Sequence, residues 1–185
     1  MPILGIIASQ ITGHLIPPPA AGSYDSIATA NGNGSSGTIT FSSIPSTYTH
    51  LQIRFTGLTS VNPVDVAIKV NSTVVGLRDH YLSGYGGSNF GSNGDTPGAN
   101  GVYVTPQGFG GSTYPTVGII DFVDYTNTNK YKTGRSLNGR DQNGGGYISL
   151  VSYLYNTTSA ISSITFTATS GNFATTTKFA LYGIK

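Results

Sequence analysis

The chain has 185 residues, nine Lys and Arg against seven acidic residues, and a formal net charge of +2. Charged residues make up only 9%, against roughly 25% in ordinary soluble proteins, and the bases are scattered, so no stripe exists to neutralise nucleic-acid phosphates. The absence of Cys excludes disulfides and thiolate metal sites; the absence of Glu, with abundant Gly, Ser, Thr and Asn, argues for strands and turns over long amphipathic helices.

Residues 1–20 differ from the rest. Met1 to Ile16 reads MPILGIIASQITGHLI. No basic residue precedes Ile3, so the pattern of a secretory signal is not met. Gln10, Thr12 and His14 interrupt the apolar residues, and a membrane span needs about 20 in succession. Pro17-Pro18-Pro19 forms a stiff spacer. The segment reads either as a first core strand or as an arm docking on another subunit through Ile3, Leu4, Ile6, Ile7, Ile11, Leu15 and Ile16. The spacer favours the arm, because it holds the apolar residues away from the body.

Residues 21–185 read as one β-sandwich domain. Ala21 to Ala30 is a short strand, and Asn31-Gly32-Asn33-Gly34 turns the chain. Thr38 to Ile44 follows, with Ile39 and Phe41 on one face. In Tyr48 to Thr56, Leu51, Ile53 and Phe55 alternate against Gln52, Arg54 and Thr56, the period of a half-buried strand. Val64, Val66, Ile68 and Val70 repeat the pattern. Gly84 to Tyr114 is expected to be a long Gly-rich loop with one short strand near Val102 to Thr105. Pro115 to Gly139 contains the densest apolar run of the mid-chain, Val117, Ile119, Ile120, Phe122 and Val123. Asp124 to Asn129 then supplies turn chemistry, and a second strand runs from Lys130 to Leu137. The two predict a central β-hairpin. Tyr147 to Tyr155 places Ile148, Leu150, Ser152 and Leu154 on one face. Ile161 to Thr169 and Phe173 to Ile184 close the chain. Roughly eight or nine short strands without a helix predict an all-β fold, an antiparallel two-sheet sandwich of jelly-roll-like form with an extended N-terminal arm. Strand order stays open, immunoglobulin-like topology included.

Catalytic and metal chemistry finds little support. His14, His50 and His80 lie far apart. Arg78-Asp79-His80 has the residue types of a catalytic fragment but reads as a local salt bridge and turn. Asp121 and Asp124 flank the hairpin turn, and Asp124 is more simply a turn residue than half of a carboxylate pair. Asn93-Gly94-Asp95 is the nearest approach to a calcium ligand set. No phosphate loop or nucleophile elbow is present. These features predict no enzyme, no cofactor and no resident metal. The aromatic residues of the Gly-rich stretch, Tyr85, Phe90, Tyr103 and Phe109, form a candidate recognition surface for sugars or a protein partner; alternatively they fold back over the end of the sandwich.

Several stretches resemble small virion structural proteins of tailed phages, in particular those of cyanobacterial and marine hosts: MPILGIIASQITG, TITFSSIPSTYTHLQIR (Thr38 to Arg54), DFVDYTNTNKYKTGRSLNG (Asp121 to Gly139), ISSITFTATSGNF (Ile161 to Phe173) and FALYGIK (Phe179 to Lys185). The resemblance covers most of the chain and is weakest across the Gly-rich stretch. It implies a β-sandwich, often a homotrimer, attached to the capsid or tail of a virion, and it carries no catalytic residues across. The leading expectation is a capsid decoration (cement) protein on the capsid exterior that binds the major capsid protein or other virion subunits, with no nucleic-acid or membrane partner. The alternative is a tail or fibre component recognising host-surface glycans.

Overall fold

The computed structural model describes residues 22–185 except 75, 87–88, 96–98 and 112; the side chains of 89–95, 106 and 107 are also outside the description. Arm positions Ile3, Leu4, Ile6, Ile7, Ile11, Leu15 and Ile16 therefore lie outside the described residues, as do His14 and the side chains of Phe90 and Asn93-Gly94-Asp95.

The described residues form twelve strands. They are β1 (Tyr24–Asn31), β2 (Thr38–Phe41), β3 (His50–Gly57), β4 (Val64–Val70), β5 (Leu77–Tyr85), β6 (Asn89–Asp95), β7 (Val102–Phe109), β8 (Thr116–Val123), β9 (Lys132–Asp141), β10 (Gly146–Tyr155), β11 (Ile164–Ala168) and β12 (Lys178–Ile184). They build two antiparallel sheets packed as a sandwich. The larger runs β1-β12-β3-β8-β9-β10-β5-β6 and the smaller runs β2-β11-β4-β7. The expected all-β sandwich is thus the fold, with the strands split eight and four. The hairpin expected at the centre is there: β8 and β9 pair from Val117↔Gly139 to Val123↔Thr133 and occupy the middle of the large sheet.

Alternation sets the core. Leu51, Ile53 and Phe55 of β3 are buried, as are Val64, Val66, Ile68 and Val70 of β4 and Ile164, Phe166 and Ala168 of β11. Phe179 on β12 lies at the centre. Its ring stacks on Phe166 with centroids 4.5 Å apart and on Phe55 at 5.4 Å, meets Phe173 edge-on at 5.7 Å, and lies parallel to Phe109 at 6.3 Å. Phe55 and Phe179 come from the large sheet, Phe109 and Phe166 from the small one. The cluster therefore joins the two layers with offset aromatic contacts worth about 0.5–1.5 kcal/mol per pair beyond area burial. Gly57 makes room for it: a Cβ there would stand 1.8 Å from the Phe109 ring.

Two expectations need correction. The Gly-rich stretch is largely regular, since the end of β5, all of β6 and all of β7 fall between 84 and 114. Glycine removed the alternation that marks a strand, but β6 pairs with β5 in continuous register from Asp79↔Asp95 to Tyr85↔Asn89, and tertiary pairing outweighs weak propensity. Arg78-Asp79-His80 lies within β5, not in a turn: Asp79 points inward and is buried while Arg78 and His80 point outward. On β10 the buried side carries Tyr147, Ser149, Val151, Tyr153 and Tyr155; Ile148 and Leu150 face solvent.

Replacing Phe179 by Ala removes four ring contacts at once and should cost about 3–5 kcal/mol of unfolding free energy. Urea denaturation followed by tyrosine fluorescence measures it; a loss below about 1 kcal/mol would show that the cluster does not hold the sheets together.

Candidate interaction surface

The outward aliphatic face of β10 extends to its neighbours. Along β9, Gly134, Ser136 and Asn138 point inward while Leu137 points out. Most polar inward groups are engaged, although Asn138 Oδ1 and Arg140 Nε are buried without a hydrogen-bond partner among the described residues. Ser136 Oγ donates to the Val104 carbonyl at 3.2 Å, and Asn138 Nδ2 to the same oxygen at 2.6 Å. Tyr147 donates its hydroxyl proton to the Gly108 carbonyl at 2.9 Å, where Arg140 Nη1 donates at 3.2 Å. Ser83 and Ser149 bond each other at 2.6 Å. Side chains of the large sheet thus hold the backbone of edge strand β7 by hydrogen bonds. Burial raises the Tyr147 and Tyr153 hydroxyl pKa values well above the ordinary range, so both stay protonated donors.

These strands also send aliphatic residues outward. Ile119, Leu137, Leu150 and Leu82 sit opposite one another across β8, β9, β10 and β5. The adjacent row is Val117, Gly139, Ile148 and Gly84. Leu82, Val117, Leu137, Ile148 and Leu150 are each 48–57% exposed. Together with Ile119 they present roughly 500 Å² of contiguous aliphatic surface, in the upper range of the largest patch on a typical monomer, where such patches are often functional. Gly139 leaves a hollow of about 570 Å³, bounded by Val117, Leu137, Tyr147 and Ile148.

Polar groups border this patch. Gln52 Nε2 donates to Asp121 Oδ1 at 2.8 Å, Arg54 Nε donates to Gln52 Oε1 at 2.8 Å, and Arg135 Nε reaches Asp121 Oδ2 at 3.3 Å. The Arg54 guanidinium lies 5.3 Å from the Tyr24 ring and 5.1 Å from Tyr182. Asp121 thereby accepts hydrogen bonds from Gln52 and Arg135.

The hairpin tip carries a second polar cluster. Asp124 adopts φ = 49° and bonds Lys130 through its carboxylate. His50 Nδ1 lies 3.5 Å from that carboxylate but accepts the Asp124 N–H at 3.0 Å. That lone pair is in use, so Lys130 is the cation of Asp124. The Lys130 hydrogen bond holds the Asp124 carboxyl below its usual 3.8. Beneath, the buried Lys132 ammonium donates to the carbonyls of Asn127, Lys130 and Thr158 and pins the tip to the β10–β11 connection. Burial lowers the Lys132 pKa.

Of the four aromatic residues expected to form a recognition loop, the three whose side chains are described, Tyr85, Tyr103 and Phe109, lie apart. Phe109 is fully buried among Phe55, Phe173 and Phe179, because the inner face of β7 has an apolar slot for it. Tyr103 is half-buried on the small sheet, opposite Ala67, and Tyr85 is exposed at the end of β5 in the large sheet. Among the described residues, His and Asp side chains form no group of three able to hold a metal ion, and no helix is long and apolar enough to cross a membrane. The aliphatic face was missed because an outward Ile or Leu on a strand carries the same letter as an inward one. The signal that could have found it is the run Ser136, Asn138, Ser149 on the opposite parity.

No protein-family model, no curated protein and no solved structure matches the chain.

The Asp124–Lys130 pair predicts a definite pH dependence. A carboxylate held low in the folded state contributes stability above its unfolded value, and loses it as pH falls through the folded one. Asp124→Asn, which suits the left-handed backbone, should melt below the wild type near neutrality, and the gap should close below about pH 3.8. Melting curves at roughly pH 7, 5 and 3 measure the gap; one that persists undiminished at the lowest pH rules out this ion pair as its source.

Proposed function

We propose that this chain is a virion structural protein, a capsid decoration protein that binds the major capsid protein and stabilises the head. The observation that carries the reading is the aliphatic face of the large sheet. A stable sandwich that turns serines and an asparagine inward and six aliphatic side chains outward is built to be covered. Its surface carries little charge, so neighbours are weakly repelled. The resemblance of Thr38 to Arg54, Asp121 to Gly139 and Phe179 to Lys185 to phage virion proteins supports a structural role in the virion.

In this reading the sandwich sits on the outside of the shell and Met1 to Ile16 runs along capsid subunits. Strand addition to a sheet edge or apolar packing in a groove would bind such a segment. Burial of its seven aliphatic side chains would stabilise the shell at roughly 25 cal/mol per Å², less the cost of ordering the arm. The tail-fibre alternative rested on Tyr85, Phe90, Tyr103 and Phe109 acting together, and the burial of Phe109 removes one of the four from any surface.

Deleting Met1 to Pro19 should leave a folded body that no longer co-sediments with purified heads lacking this protein, while the full chain binds them saturably. Circular dichroism of the truncated body monitors folding. Undiminished binding by the truncated chain would remove the arm as the capsid contact, and no binding by the full chain would remove the decoration reading itself.

A further inference from the structure

We propose that the aliphatic face binds a second copy of this chain, in a face-to-face pair related by a two-fold axis. This deepens the assembly reading by naming the occupant of that face, and it concerns the purified protein alone.

One rung of the large sheet sets the geometry. Phe55, Gly118, Asn138, Ser149 and Ser83 lie side by side across β3, β8, β9, β10 and β5. The two outward rows flank this rung. One holds Ile119, Leu137, Leu150 and Leu82; the other holds Val117, Gly139, Ile148 and Gly84. A two-fold axis laid along the rung, in the plane between two copies, exchanges the rows. Each outward residue then faces the one two positions along on the same strand of the other copy. Leu137 faces Gly139, Ile148 faces Leu150, and Val117 faces Ile119.

Three features make the face complementary to itself under that operation. The first is shape. Leu137 projects where the partner has the hollow over Gly139, and Leu82 projects where the partner has Gly84. The second is charge. Two residues beyond the rows on β9 stand Arg135 and Asp141, both exposed, and the same axis sets each opposite the other. The pair therefore gains two reciprocal Arg–Asp contacts on its rim, where charge complementarity fixes register. The third is area. Two such faces with their rims bury roughly 1,200 Å² in total, which reaches the lower bound of specific stable interfaces. Sheets stacked face to face tolerate the roughly 30° crossing that strand twist imposes.

An isologous contact of this kind closes at two copies. A trimer, the copy number implied by the resemblance, would need a different surface.

Sedimentation equilibrium of the full chain tests the proposal. The wild type should have twice the chain mass at micromolar concentration. Leu137→Lys, at an exposed position, should weaken pairing at least tenfold with an unchanged circular dichroism spectrum. Arg135→Asp and Asp141→Arg should each be mostly monomeric, since each homodimer carries two like-charge contacts. Their equimolar mixture should dimerise, because the mixed pair has two opposite-charge contacts. Monomeric or trimeric wild type, a dimer indifferent to Leu137→Lys, or a mixture that stays monomeric would each overturn the pairing. So would self-association that vanishes on deleting Met1 to Pro19 from a body that remains folded, since the occupant would then be the N-terminal segment.

Discussion

The Phe179 cluster is the contact on which the sandwich depends. A two-sheet fold with few charges and no disulfide leans heavily on its interlayer packing, and at the centre of this one that packing is made by rings. Phe179 belongs to β12, and β12 sits between β1 and β3 in the large sheet. The same strand therefore supplies ladder bonds to two neighbours and the ring that meets Phe109, Phe166 and Phe173. Backbone pairing sets the position of the ring, and the ring sets the separation of the sheets.

Away from this cluster the cement changes character. Under β9 and β10 the interior holds hydroxyls and an amide that hold the carbonyls of Val104 and Gly108. Hydrogen bonds replace apolar area, and aliphatic side chains are released to the outside. A buried polar network is costly where an atom stays unpaired, as Asn138 Oδ1 does, and specifying where its groups are paired. In this molecule it fixes where β7 lies, and the outer face is its counterpart. The two halves of the sheet thus divide the work: one holds the layers together, the other offers a surface.

Much of the fold was legible because alternation is a local signal. Leu51-Gln52-Ile53-Arg54-Phe55 and the valines of β4 state their buried side outright, and Asp124 to Asn129 states its turn. What was not legible followed from long-range pairing. β5 and β6 carry Gly, Ser and Asn at positions that only a neighbouring strand makes extended. On β10, Tyr147-Ile148-Ser149-Leu150 is apolar on both parities at one end, so local pattern could not tell inside from outside. Burial of Tyr147 and Ser149 was decided by a carbonyl on β7 and a hydroxyl on β5, 39 and 66 residues away in sequence. Lys132 was equally hidden: nothing near it marks a lysine whose ammonium is enclosed by three carbonyls.

The place of β12 has a consequence for how the protein is made. Of the twelve strands it leaves the ribosome last, yet it fills a slot inside the large sheet. Until it emerges, β1 has no strand to pair with in that sheet, one side of β3 is unpaired, and the rings of Phe55, Phe109 and Phe166 line an open cleft. At the usual 5–20 residues per second, the 36 residues between the β8–β9 hairpin and β12 take about two to seven seconds to synthesise. The nascent chain spends that interval with an apolar cleft and a free strand edge, so this body closes only once Phe179 is delivered.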